Sequence, residues 1–355
     1  YNMKNNKSSY YVYGNNSITA NTDIEIGSFC FYRLNIHNSI EIVGENIKIG
    51  EKFIIDCNYL AKINMKTNSS LNILKNSFCN LELLNNFVIE GQQLMIDNDC
   101  FNNCFIVQNS NYNELTIKSS SDVEIRKQCF NLNKLLGYVS ITGKNIIIKD
   151  CCFNQCESLK SIKISNSEKI IFGCNVFSEC TNLKKLFLKS TFIYLDKECF
   201  STNNNKIEAI EIECSEVTID ENCFKDNLNI KSIMIKKTSS INIHNYAFVN
   251  CQKLKSIQFE SSNISIGEGC FMNCQKLSSF ESKTTKNILI KTKSFEMCEE
   301  LNKFSIINGN EYTFENEILI KNPKLATFEI KGDSIRFSNS ISNFCSNLKK
   351  INIEI

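Results

Sequence analysis

The chain holds a single proline, Pro323, and only twelve glycines among 355 residues. That scarcity excludes a collagen-like repeat, a proline-rich linker and a sandwich made of many tight hairpins. The charge is also nearly absent: 40 basic and 38 acidic side chains leave a formal +2, spread without long runs. Such a balance gives no electrostatic footprint for nucleic acid or an anionic membrane surface. No stretch of eighteen apolar residues is present, so nothing here is expected to insert into a membrane. A secretory signal pattern is missing too, as are a glycine-rich phosphate loop and a basic-aromatic stripe. The chain opens on Tyr1 and stops at Ile355 inside a strand-like pattern, so it reads as a segment of a longer or processed chain.

What is present is one pattern used many times. Ile264 and Ile266 precede Phe271, which Cys274, Leu277 and Phe280 follow; Ile288, Ile290, Phe295, Cys298, Leu301, Phe304 and Ile306 repeat the spacing. The unit is I-x-I-x4-F-x2-C-x2-L-x2-[IF]-x-I. Its anchor phenylalanine can be followed from Phe31 through Phe78, Phe101, Phe130, Phe153, Phe177, Phe200, Phe224, Phe248, Phe271 and Phe295, with Ile54, Leu319 and Ser342 standing in. That makes 14 coils at steps of 23 or 24 residues, except for one step of 29 lengthened by the segment VQNSNYNE (Val107–Glu114). Residues 1–23, polar and Asn-rich with tyrosines at 10, 11 and 13, read as an N-terminal cap or degenerate coil, and residues 24–355 as one solenoid.

Each coil has two stretches of period-two alternation, the mark of half-buried strands. One is the I-x-I before the anchor; the other closes the unit, as in Leu159–Ile164. Between them, F-x-x-C-x-x-L has the spacing of a helical or 3₁₀ turn. A unit this small cannot bury its apolar residues alone. Stacked copies can, and each strand then pairs with the coils on either side. The predicted fold is therefore a repeat solenoid, mostly β.

L-x-x-I-x-I closing a 23-residue unit, preceded by Ile266–Gly267, Phe271 and Cys274, resembles the BspA-like leucine-rich repeat family, also called the Treponema-type repeat. The resemblance covers residues 24–355 and is most faithful in Ile146–Ile164, Ile241–Phe259 and Ile264–Ile306. It implies a right-handed leucine-rich-repeat coil stack. It also implies a surface or secreted protein that adheres to host proteins or other cells. The chain departs from the family pattern in lacking the proline after the second strand, and in having Ser342 and Asn322 where Phe and Cys are expected.

Nineteen cysteines raise disulfides or zinc. Eight of them lie three residues after an anchor and seven immediately before one, which is the placement of small apolar core residues. Neighbours within such a column would have Cβ atoms ~4.8 Å apart, beyond disulfide preference. Reduced, buried thiols are expected, with Cys79, Cys151, Cys174 and Cys214 off that phase. No flanking histidine supports a zinc site. His37 and His244 fall nine coils apart, so no Ser-His-Asp or Cys-His arrangement is expected, and the chain reads as a non-enzyme without cofactor or metal. Four Asn-x-Ser sequons occur, at Asn6, Asn15, Asn68 and Asn263.

Function must then come from outward-facing columns. In the second strand that column is polar except at Val88, Phe187 and Met234. In the first strand three successive coils break alternation at Ile147, Ile171 and Tyr194, which should form an outward apolar patch. A covering loop, or tolerance of surface isoleucine, is the other reading. The partner expected is a protein, whether a host or cell-surface protein or another copy of the chain. The chain thus reads as a cell-surface or secreted adhesin-like binding module. A structural protein forming a coat or filament, and an intracellular (cytoplasmic) scaffold, are the alternatives.

Overall fold

The structure, a computed structural model, describes residues 11–12, 15–104, 113–165, 167–201, 206–283 and 286–355. It divides into two units, Tyr1–Asn182 and Leu183–Ile355. Both are parallel β-solenoids, with about 13 coils between them, close to the 14 counted from the anchors. The long-step segment falls largely outside the described residues, as does the sequon at Asn6.

In the first unit, short strands such as Asp122–Ile125, Asn145–Ile148 and Lys169–Phe172 form one parallel ladder. Glu114–Ser119, Tyr138–Thr142 and Ser161–Ser165 belong to a second. The second ladder begins at Asn15–Thr19, inside the segment read as a cap. Register is fixed by the pattern: Val123, Ile146 and Ile170 face inward in line, and a one-residue slip would turn each of them to solvent. In the second unit Phe192–Leu195 and Glu216–Ile219 continue the same scheme. There the two strands of a coil run together in Ser232–Ile243, Ser256–Ile266, Lys303–Phe314 and Thr327–Phe337. The bend inside Ser232–Ile243 is a register shift between Ile235 and Thr238 with Lys237 left-handed at φ 59°.

The anchors stack as the repeat requires. Ring centroids of Phe101, Phe130, Phe153 and Phe177 lie 5.1, 5.2 and 5.5 Å apart, with planes within 7° of parallel. Phe200, Phe224, Phe248 and Phe271 do the same in the second unit at 5.0, 5.0 and 5.4 Å. These spacings match the ~4.8 Å rise of paired strands, which leaves the rings offset-stacked in a dry column.

The F-x-x-C segment is where the structure departs from a helical turn. Cys156 N–H reaches Phe153 O at 3.2 Å and Leu159 N–H reaches Cys156 O at 3.0 Å, so single turns do form. Among the described residues they never join into a helix. The reason is the backbone two residues either side of each anchor. Cys151 and Gln155 flank Phe153 at φ 54° and 59°, Asn222 and Asp226 flank Phe224 at 55° and 59°, and Gly269 and Asn273 flank Phe271 at 56° and 60°. These left-handed residues turn alternate amides out of the coil. Cys151, Phe153 and Gln155 donate to Cys174, Val176 and Ser178 O at 2.9, 2.9 and 3.0 Å, one coil onward. The cross-coil bonds offset the steric cost of a left-handed side-chain-bearing residue.

Candidate protein-contact surfaces

Fifteen of the nineteen cysteines fill two structural columns. Three residues after the anchor, a side chain donates back to the anchor carbonyl of the preceding coil: Cys156 Sγ to Phe130 O at 3.3 Å, Cys180 to Phe153 O at 3.2 Å, Cys298 to Phe271 O at 3.2 Å. At three positions asparagine replaces cysteine and does the same, whereas Leu34 and Leu81 in that column carry no donor. Asn133 Nδ2 reaches Phe101 O at 2.8 Å, Asn227 reaches Phe200 O at 2.9 Å, and Asn322 reaches Phe295 O at 2.9 Å. Asn322 is therefore a substitute donor and not a decayed position. Burial pushes the thiols up, to about 11 at Cys57 and about 12 at Cys298, and drives Cys156, Cys251 and Cys274 well upward as well. Such groups stay protonated and are poor nucleophiles.

The surface charges are arranged between coils. Lys127–Asp150 at 2.8 Å, Lys134–Glu157 at 3.1 Å, Lys231–Glu208 at 2.8 Å and Lys324–Glu300 at 2.7 Å each join successive coils. Exposed pairs of this kind contribute little individually. Together they cancel local fields, leaving polar faces of mixed sign. Among the described residues no group of three His, Cys, Asp or Glu side chains could hold a metal ion, and no helix is long and apolar enough to cross a membrane.

The outward apolar residues sit as follows. Ile147 and Ile171 are register partners in the first unit, both half-buried. Phe187, in the second unit, is 46% exposed on the sheet face between Lys185 and Lys189. Met234 shares its column two coils on, with Glu211 between them. Tyr194 belongs to the second unit, and its hydroxyl donates to Asp220 Oδ2 at 2.7 Å. The structure thus brings Ile147 to Ile171 and places Phe187 in one column with Met234, while Tyr194 enters a polar network. Of the sequons, Asn68 is exposed and bonds Glu45 at 3.2 Å, whereas Asn263 is half-buried within a strand and bonds Ser239 O at 3.1 Å.

That network is what the sequence reading missed. Asp220, 8% exposed, also receives Glu221 N–H at 2.6 Å and faces His244 Nδ1 at 2.8 Å, and His244 Nε2 faces Asn242 Nδ2 at 3.0 Å. Burial alone would raise the Asp220 carboxyl, but the donors from Tyr194, Glu221 and His244 outweigh it and hold it below the usual range. Both imidazole nitrogens are occupied, and among the described residues no serine or cysteine side chain bonds to His244. The ring therefore joins two coils. Beside it lies an open polar cleft of about 410 Å³ lined by Lys197, His244, Asn245 and Lys291. A second, about 560 Å³, runs over Asn263, Asn287, Leu289 and Thr313, and the two share Asn242 and Ser265. The 24-residue step from Asp220 to His244, one coil, was the available signal.

No curated protein matches this chain. Among solved structures, a leucine-rich repeat protein from Bacteroides ovatus ATCC 8483 is similar at 16% identity and TM-score 0.43, covering 80% of this chain and 82% of that one. A leucine rich cell surface protein from Faecalibacterium prausnitzii A2-165 is similar at 17% identity and TM-score 0.29, covering 96% and 87%. The pneumococcal vaccine antigen PcpA is similar at 13% identity and TM-score 0.31, covering 90% and 78%. The BspA type leucine rich repeat region matches residues 6–122, 123–253 and 217–349. With the anchor column, the paired ladders and that match in hand, the chain belongs to the BspA-type leucine-rich repeat family.

Proposed function

We propose that this chain is a non-enzymatic protein-binding module of a cell-surface or secreted adhesin-like protein. It would contact its partner at many points across its sheet faces. Membership of a leucine-rich repeat family supports the protein-interaction part of that reading. The observation that carries the contact residues is Phe187: a large apolar ring, 46% exposed, on a face whose neighbours are charged. An exposed ring of this size gains free energy when a partner covers it, and aromatic anchors dominate such interfaces. Met234 in the same column would extend that contact; Ile147 with Ile171 would form a contact of their own in the first unit, and Tyr194 would add one in the second.

The test is binding of the purified chain to intact cells and to extracted cell-surface proteins, beside its oligomeric state by light scattering. Phe187→Ser with Met234→Lys, and separately Ile147→Ser with Ile171→Lys, should weaken cell binding or self-association at least tenfold while circular dichroism stays unchanged. Unaltered binding and unaltered oligomeric state in both variants would remove these residues from the contact surface.

A further inference from the structure

Of the nineteen cysteines, fourteen are buried. The five that reach solvent are Cys30, Cys79, Cys151, Cys174 and Cys345, and only Cys151 and Cys174 belong to consecutive coils. They occupy different columns, two residues before one anchor and three before the next, so the objection to disulfides within a column does not apply to them. Cys151 N–H donates to Cys174 O at 2.9 Å, which brings the two Cα atoms to about 5 Å, inside the range a disulfide spans. Cys151 is left-handed at φ 54°, so its Cβ does not lie parallel to those of the strand columns. The same pair of positions in the second unit holds Tyr246 and Glu268, whose side chains meet at 3.0 Å. Burial pushes the Cys151 thiol up and Asp150 beside it adds to that, while Lys127, held to Asp150 at 2.8 Å, opposes both.

We infer that Cys151 and Cys174 form a reversible thiol pair that a low-molecular-weight disulfide such as glutathione disulfide closes into a cross-coil disulfide. One thiolate attacks a sulfur of glutathione disulfide and expels glutathione thiolate, leaving a mixed disulfide. The second thiolate then attacks the protein sulfur of that bond and expels the other glutathione. Two protein thiols are oxidised by two electrons, and one glutathione disulfide becomes two glutathiones, which take up the two protons. The closed form ties two coils through a 23-residue loop, so it should melt several degrees above the open form.

The full chain would be equilibrated with glutathione disulfide, alkylated under native conditions with N-ethylmaleimide and mapped by non-reducing peptide mass spectrometry. A Cys151–Cys174 cross-linked peptide is expected, with the raised melting midpoint lost in Cys174→Ser and on reduction. Cys151→Ser should carry glutathione or maleimide at Cys174 instead. Overturning results are alkylation of both thiols in the wild type, separate mixed disulfides on each, or a link to any other cysteine.

Discussion

The donor three residues past an anchor can be tested where asparagine fills it. Asn322 is fully buried, donates Nδ2 to Phe295 O at 2.9 Å and accepts Cys298 N–H on Oδ1 at 2.8 Å. Asn322→Ala leaves one buried carbonyl and one buried amide without that partner. At about 1–3 kcal/mol for each orphaned group, the expected loss is roughly 2–6 kcal/mol. Cys274→Ala removes only a weak thiol donor, 3.4 Å from Phe248 O, and a little volume, for about 1–2 kcal/mol. Asn322→Cys restores a donor but no acceptor for Cys298 N–H, and should fall between. Urea unfolding followed by circular dichroism gives the order, and hydrogen exchange at Cys298 N–H shows whether that amide has been released. Because repeat arrays can unfold in parts, midpoints should be compared only where the slopes agree. An Asn322→Ala variant within about 0.5 kcal/mol of wild type, or one equal to Asn322→Cys, would refute the donor argument.

Two further outcomes follow from the same coordinates. A Cβ on Gly267 would lie 2.4 Å from the His244 carbonyl carbon, so Gly267→Ala must push one backbone off another; a loss of about 1–3 kcal/mol in urea is expected, and a neutral variant would show that these coils are more loosely stacked. Asp220 is held below the usual range, so it stabilises the fold above its unfolded pKa of about 4, and that contribution is lost as the pH falls through the lower folded value. Tyr194→Phe, which removes one donor to it, should cost about 1.5–3 kcal/mol at pH 7, with the gap to wild type narrowing toward pH 3; a gap independent of pH would contradict the assigned charge.

The anchors and inward isoleucines were legible because a dry column accepts few residue types, and Phe153 and Phe177 stack where their spacing places them. The cysteines announced their columns for the same reason. Asn133, Asn227 and Asn322 were harder: they look like decay until the carbonyl they serve is seen, since a thiol and an amide share little except a donor. The left-handed positions were not legible. Asn and Asp occur there, but so do Phe29, Leu132 and Met297, because the constraint falls on the backbone and not on the side chain. The Asp220–His244 contact was hidden by reading histidines against catalytic patterns instead of along the column.

The anchor turns carry one consequence for the electrostatics of each unit. In coil after coil the amides at the anchor and two residues either side aim the same way, as Tyr246, Phe248 and Asn250 do toward Glu268, Cys270 and Met272. Strand amides alternate and largely cancel; these do not. Their ~3.5 D peptide dipoles therefore add along one edge, as they do in a helix. That edge is an electrical rod with its positive pole toward higher residue numbers.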